Sequence, residues 1–247
     1  MPAASLPAAL LEQATAPYRP VGRFAWHFAR GKLRGDPVFG GLLRLGLIPA
    51  GARVLDIGCG QGLLAALLGS LDGQSSAERQ WPADWAPPPA RATVHGIELM
   101  PRDVQRAQQA LGHLGGRVRF TLGDMRETAF GQADVVVILD VLHYVDYAAQ
   151  DEVLRRVRQA LTPGGTLLLR VGDAAAGLPF RISNWVDAVV TWVRGHRLPR
   201  LYCRPLTAWQ QALQQLGFAV QAIPMHAGTP FANILLVARL PAATSQP

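Results

Sequence analysis

Apolar residues in this chain gather in short unbroken runs more than in strict alternation, a pattern that predicts strands buried on both faces of a parallel sheet. Residues 133–139 are almost continuously Val, Ile and Leu, which makes this run the central strand. Residues 53–57, 93–98, 117–122 and 166–171 repeat the pattern over shorter lengths. Between them lie stretches with helical character. Residues 63–71 have the Leu and Ala density of a helix packed on a sheet, 101 to about 113 open with a proline in the first turn, and 148–161 are amphipathic. A late helix at 206–216 and strands at 217–223 and 231–239 close the alternation, so the expected fold class is α/β with a doubly wound, mostly parallel sheet.

Three segments stand apart from this alternation. Residues 18–47 are basic and aromatic, with Tyr18, Arg19, Arg23, Phe24, Trp26, His27, Phe28, Arg30 and Lys32 ahead of the first strand. They read as partly helical, with a helix at 40–47 leading to a turn at 49–51. Residues 72–92 are rich in Pro, Ser, Gln and Ala and include Pro87-Pro88-Pro89, the composition of a surface insertion or flexible loop. Residues 173–205 hold an apolar helix at 184–193, followed by Arg194, His196, Arg197, Arg200 and Arg204. That stretch reads equally well as an acceptor-binding lid with an anionic handle and as a packed helix followed by a solvated loop.

The chemistry starts at the first strand. Val54-Leu55-Asp56-Ile57 runs into Gly58-Cys59-Gly60-Gln61-Gly62 and then into a helix. The three glycines can take positive φ and let a ligand approach the backbone, while the free N–H groups at the helix start add a polar cradle. A dinucleotide fingerprint requires a third glycine where Leu63 stands. Asp56 beside the loop would repel a pyrophosphate, but it suits an ammonium group or hydrogen-bond donors. Set against the insertion, the step from Asp56 to Glu98 comes close to the roughly 20 residues that separate a nucleotide loop from a ribose-binding acid.

At this point the chain resembles the class I S-adenosylmethionine-dependent methyltransferases, whose first motif is hydrophobic-hydrophobic-Asp-hydrophobic-Gly-x-Gly-x-Gly. The resemblance extends over about 43–240 through Glu98, Gly123-Asp124-Met125, the run Asp140-Val141-Leu142-His143-Tyr144-Val145-Asp146, and Leu161-Thr162-Pro163-Gly164-Gly165 before the fifth strand. It implies a Rossmann-like, seven-stranded sheet whose last strand is antiparallel, with S-adenosyl-L-methionine as cofactor. The implied cofactor residues are Asp56, Gly58, Cys59, Gly60, Gly62, Glu98, Leu99, Asp124, Met125 and Leu139. Glu98 would take the ribose hydroxyls and Asp124 the adenine amino group. His143 is the candidate base, because imidazole titrates near neutrality, with Asp140 or Tyr144 as orienting partners. The implied organisation is an N-terminal helical cap at 1–42 and a methyltransferase domain at 43–247, carrying the insertion at 72–92 and the lid at 173–205.

Composition narrows the partners. At 247 residues there is material for one large core. Only Cys59 and Cys203 are present, too few for a disulfide framework or a cysteine-rich metal site, and this usage suits a reducing cytoplasm. Prolines break the first apolar stretch and no basic residue precedes Arg19, so no signal peptide is expected, and no apolar run reaches membrane-spanning length. The net charge of +7 favours anionic partners, although every basic residue but Lys32 is arginine, a skew that also follows from base composition. No Asn-Pro-Pro-Tyr motif, Pro-Cys nucleophile loop or separate RNA-binding module is present, which favours a small-molecule acceptor over nucleic acid. Residues 18–32 look like methyltransferases encoded with bacterial aryl polyene pigment pathways. That narrower resemblance implies an aromatic or polyketide-like hydroxyl acceptor of secondary metabolism, presented on an acidic carrier protein that the arginines could meet. An RNA or protein methyltransferase and a non-catalytic S-adenosylmethionine-binding module remain open at this point.

Overall fold

The computed structural model describes residues 5–72, 81–172, 201–225 and 233–242. Seven strands, β1 (Arg53–Ile57), β2 (Thr93–Glu98), β3 (Val118–Leu122), β4 (Ala133–Leu139), β5 (Leu161–Gly172), β6 (Ala219–Pro224) and β7 (Asn233–Arg239), form one sheet in the order β3-β2-β1-β4-β5-β7-β6. β1, β2 and β3 pair in parallel, as do β4 and β5, while β7 pairs antiparallel with both β5 and β6. The chain divides into two compact units, Met1–Ala129 and Phe130–Pro247.

In the first unit β1, β2 and β3 pair in parallel register, with Asp56 opposite Gly96 and Ile97 opposite Thr121. The helix after β1, α4 (Leu63–Gly69), buries every residue from Leu63 to Leu68. A helix that is apolar all round needs cover on every side, and an N-terminal helix, Ala8–Thr15 (α1), supplies part of it by packing on α4. This segment lies within the N-terminal helical cap that the resemblance implies at 1–42, although its local pattern marks no separate helix. The basic stretch that follows is helical, as α2 (Arg23–Gly35) and α3 (Pro37–Arg44). α2 turns Ala25, Ala29 and Leu33 inward at four-residue spacing and leaves its arginines outside. α3 begins three residues earlier than predicted, because Asp36 caps it by accepting from the Val38 N–H at 3.1 Å and Pro37 takes the first helical position. Its end is a Schellman turn, in which Leu47 donates to the Leu42 carbonyl and Gly46, at φ +61°, donates to that of Leu43. α5 (Pro101–Leu111) follows β2 as expected.

The 72–92 stretch is only partly the loose loop predicted. Residues 73–80 lie outside the described set, but 81–92 are anchored. Trp81 donates to the Ala86 carbonyl, Ala86 to that of Arg44, and Gly51 to that of Ala90. Asp72 accepts from the Arg91 N–H and pairs with Arg117, and the Trp81 and Trp85 rings meet edge to face at 5.4 Å. Tryptophans and a capping aspartate override the Pro-rich composition.

In the second unit β4 is buried almost throughout, as its sequence predicts. β5 differs from expectation: pairing starts at Leu161 opposite Ala133, slips, and resumes at Thr166 opposite Val135. Residues 162–165 have no partner on β4, so the Pro163-Gly164-Gly165 stretch, with Gly164 at φ +76°, is an irregularity in the register just ahead of the predicted strand 166–171. α6 (Tyr147–Ala160) is capped by Asp146, which accepts from the Ala149 N–H at 2.8 Å. α7 (Leu206–Gln215) buries Trp209 and Leu213. The helix predicted at 184–193, and the arginines and histidine at 194–200, lie outside the described residues. No helix among the described residues is long and apolar enough to cross a membrane.

Candidate active site

The glycine loop is held from both sides. Gly58 and Cys59 donate to the Ile97 carbonyl at 2.8 and 3.2 Å, and Gly62 turns back to donate to that of Cys59 at 2.9 Å. Gly62 has φ +78°, and a Cβ there would lie 2.8 Å from Cζ of Phe120, so no other residue fits. Gly60, at φ +55°, is the opposite case: a Cβ on it would meet nothing within 4 Å among the described residues, so its backbone borders open space there. From the other side Tyr18, fully buried, donates its hydroxyl to the Gln61 carbonyl at 2.7 Å. Burial pushes the Tyr18 phenol up and keeps it a donor.

The predicted acids converge on this loop. Glu98 is 9% exposed; its Oε2 accepts the Gly60 N–H at 2.8 Å and its Oε1 that of Met100 at 2.9 Å. Burial pushes its carboxyl up, against the pull of those two N–H groups. Each carboxylate oxygen keeps acceptor capacity beyond one bond, so hydroxyl groups of a ligand can still be accommodated. Asp56 is buried one strand over, and its carboxyl is raised to about 7, by burial first and by the Glu98 charge second. Burial, reinforced by Asp56 and Glu98, likewise pushes the Cys59 thiol up, making it a packed neutral group and not a nucleophile. Gly96 makes room for it, since a Cβ there would lie 2.6 Å from Cys59 Sγ.

Beyond Glu98, Leu99 leaves β2 with 60% of its surface exposed, a large apolar side chain at a strand end. Gly123 donates to the Glu98 carbonyl at 2.9 Å, which keeps the Asp124-Met125 turn beside it. The Asp124 carboxylate grips Arg126 through Nε at 3.0 Å and Nη2 at 2.6 Å, and this pairing holds it below the usual carboxylate range. Asp56, Gly58, Cys59, Gly60, Gly62 and Glu98 thus form one cluster, with Leu99, Asp124 and Met125 at the neighbouring strand ends.

In the second unit, Leu139 ends β4 opposite Arg170 of β5, and Asp140 follows in the left-handed region at φ +57°. The cause is on the adjacent strand. Asp140 donates its N–H to the Arg170 carbonyl at 3.3 Å, and both of its carboxylate oxygens accept from the Arg170 guanidinium, Nε at 2.9 Å. Arg170 is 2% exposed, so this is a buried cation with a bidentate partner. Next comes a short turn, Leu142–Tyr144. His143 is half-buried, edge-on to Tyr144 with ring centroids 4.3 Å apart. Burial lowers its pKa while Asp140 works in the opposite direction. The His143 carbonyl accepts from the Tyr202 N–H at 2.9 Å, and Gln150 donates to the carbonyls of Val145 and Tyr202. Arg204 pairs with Asp151 and lies over the Tyr147 and Trp209 rings. Residues 201–204 are therefore strapped to the turn. His143 and Arg170 share a small cleft with Cys203 and Trp209.

Sequence reasoning named Tyr18 only as one of the aromatic residues of the N-terminal stretch and passed over Gln61 and Arg170. Arg170 left a signal, a lone charge in the otherwise apolar Thr166-Leu167-Leu168-Leu169-Arg170-Val171. The first unit's cluster fits a nucleoside with a cationic substituent: a backbone cradle with open space at Gly60, a buried pair of acids, and an exposed apolar Leu99 for a ring to cover.

A family model described as "Methyltransferase domain" matches residues 25–223. Carboxy-S-adenosyl-L-methionine synthase of Chromohalobacter salexigens is 32% identical over 145 residues, covering 55% of this chain and 48% of that protein. Ubiquinone biosynthesis O-methyltransferase of Xanthomonas oryzae pv. oryzae is 31% identical over 121 residues, covering 49% and 43%. The chain spans about half the length of these two relatives. An O-methyltransferase family protein from Burkholderia thailandensis shares the fold, with a TM-score of 0.61 at 21% identity over 94% of this chain and 64% of that one. With the glycine loop, its acids and the strand order, the match over most of the chain leads to one conclusion: the protein belongs to the class I S-adenosylmethionine-dependent methyltransferases.

Proposed function

We propose that this chain transfers the methyl group of S-adenosyl-L-methionine to a hydroxyl of a small aromatic or polyketide-like acceptor, leaving S-adenosylhomocysteine. The observation that carries the cofactor half is the Glu98–Gly60 bond, which sets a buried carboxylate against the open backbone of the glycine loop. In this reading Asp56, Gly58, Cys59, Gly60, Gly62 and Glu98 hold the amino-acid and ribose portions, with Leu99, Asp124 and Met125 around the adenine and Leu139 as an apolar contact. The cofactor supplies an electrophilic methyl carbon. Bound there, it would give that carbon to an acceptor oxygen and keep the bonding pair on sulfur, while the hydroxyl proton would pass to a base. His143 is that base, with Tyr144 packed edge-on and Asp140, fixed by Arg170, acting as an electrostatic partner.

A hydroxyl acceptor is supported by the likeness to the ubiquinone biosynthesis O-methyltransferase and to a tetracenomycin polyketide synthesis 8-O-methyl transferase from Streptomyces glaucescens, 33% identical over 84 residues. The arginines of the N-terminal helices supply positive charge for an acidic carrier protein bearing the acceptor. The test is to incubate the purified chain with methyl-labelled S-adenosylmethionine and, separately, hydroxylated aromatics, bulk RNA and protein extract. A one-methyl mass increase on a phenol supports the reading. Label on RNA or protein instead overturns the acceptor assignment, and cofactor binding without transfer to any of them points to a non-catalytic module.

A further inference from the structure

Gln61 occupies the centre of the glycine loop and is 2% exposed, yet neither Oε1 nor Nε2 of its amide has a hydrogen-bond partner among the described residues. Its main-chain carbonyl is held by Tyr18, which anchors the backbone and leaves only the side-chain torsions free. Two unpartnered polar atoms in one buried side chain are costly, and a native structure keeps such groups where something else completes them. The loop and the strand ends beside it also carry buried polar groups: Tyr18, Asp56, Cys59 and Glu98 are all at least nine-tenths buried. Burial and mutual repulsion hold the Asp56 carboxyl high, the condition of a site short of positive charge.

The missing partner must therefore bring a cation and also groups that satisfy both a donor and an acceptor. An α-amino acid does so, carrying an ammonium and a carboxylate on one carbon. The nucleoside of the cofactor is already served by Glu98, Leu99 and Asp124, which leaves its amino-acid end. Resting on the methyltransferase reading above, we propose that the Gln61 side chain recognises the α-amino-acid end of the cofactor, Nε2 donating to the carboxylate and Oε1 accepting from the ammonium. Rotation of the side chain toward Gly60, where the backbone borders open space, makes the amide available.

The experiment compares S-adenosylhomocysteine with 5′-methylthioadenosine, which has the same nucleoside and no amino acid, by calorimetry on wild-type, Gln61→Met and Gln61→Glu proteins. Gln61→Met keeps the side-chain length and removes both polar atoms. It binds S-adenosylhomocysteine about tenfold more weakly, the loss of one net hydrogen bond, and leaves methylthioadenosine affinity unchanged, which also shows that the variant is folded. Its unliganded melting temperature does not fall. Gln61→Glu replaces the donor with a second acceptor and loses at least as much for S-adenosylhomocysteine alone. Equal losses for both ligands would make Gln61 a packing residue of the loop and overturn the proposal, as would unchanged S-adenosylhomocysteine affinity in either variant. Wild-type protein that binds neither ligand would overturn the methyltransferase reading itself.

Discussion

Glu98 accepts the Gly60 N–H at 2.8 Å through one carboxylate oxygen and the Met100 N–H at 2.9 Å through the other, so a single buried acid ties the glycine loop to the end of β2. The acid is thus a structural part of the cradle as well as a candidate ligand group. Glu98→Ala removes both bonds and whatever the carboxylate gives the cofactor. It weakens S-adenosylhomocysteine binding by about 1–3 kcal/mol. Glu98→Gln, which keeps one acceptor oxygen, falls between the two. Calorimetry checks the series, and equal affinities across it would separate Glu98 from the cofactor.

Asp56 makes the unliganded protein sensitive to pH. Its carboxyl is raised to about 7 in the folded state, by burial and then by Glu98, against an ordinary value near 4 when unfolded. Between those limits the folded protein keeps a proton that the unfolded chain has lost, so this group's contribution to stability falls as pH rises from about 4 to about 7. Asp56→Asn removes the dependence and stabilises the unliganded protein at pH 8 by about 1–3 kcal/mol. Urea midpoints for both proteins from pH 4 to 8 test this: the gap must widen with pH. A gap that stays constant or narrows contradicts the assigned protonation.

The Asp140–Arg170 pair predicts strong coupling. Arg170 is buried and Asp140 is its bidentate partner, so Asp140→Asn leaves a buried cation short of its counter-charge and Arg170→Met strands the carboxylate. Each single change destabilises by about 2–4 kcal/mol, and the double variant recovers part of that loss. Additive losses in a denaturation cycle would mean that the two side chains act independently.

His143 gives a kinetic prediction. Burial lowers its pKa, so the imidazole is neutral at pH 7 and able to accept a proton. The methyl-transfer rate at saturating cofactor rises with pH to a plateau, its midpoint below the ordinary histidine value. His143→Ala lowers the plateau by about a hundredfold or more and leaves S-adenosylhomocysteine affinity intact. A variant with unchanged turnover would leave approach and orientation as the whole of catalysis.

Strand positions were legible because buried parallel strands write themselves as apolar runs: 53–57, 93–98 and 133–139 coincide with β1, β2 and β4. The acid that ends β2 was legible too, by its spacing from Asp56. What sequence did not convey was tertiary. α1 has few residues and no cap signature, and it forms because α4 needs cover. The 163–165 stretch carries turn residues, and the register with β4 slips across it while pairing is kept at Leu161 and from Thr166 onward. Arg170 was hidden inside a strand, and only the neighbouring strand shows that its charge belongs to Asp140. Gln61 looked like filler between glycines, and its interest lies wholly in having been buried without a partner. Burial and pairing across strands are not written in local pattern.

The most direct test of the account is a calorimetric titration of the purified chain with S-adenosylmethionine, S-adenosylhomocysteine and NADH, repeated on Gly60→Val. A Cβ at Gly60 meets no atom of the described residues within 4 Å, so a side chain there projects into the space assigned to the cofactor. The account predicts one-to-one binding of the first two ligands, no binding of NADH, and loss of S-adenosylhomocysteine binding in the variant. Binding of NADH by a protein that ignores both S-adenosyl compounds would contradict it.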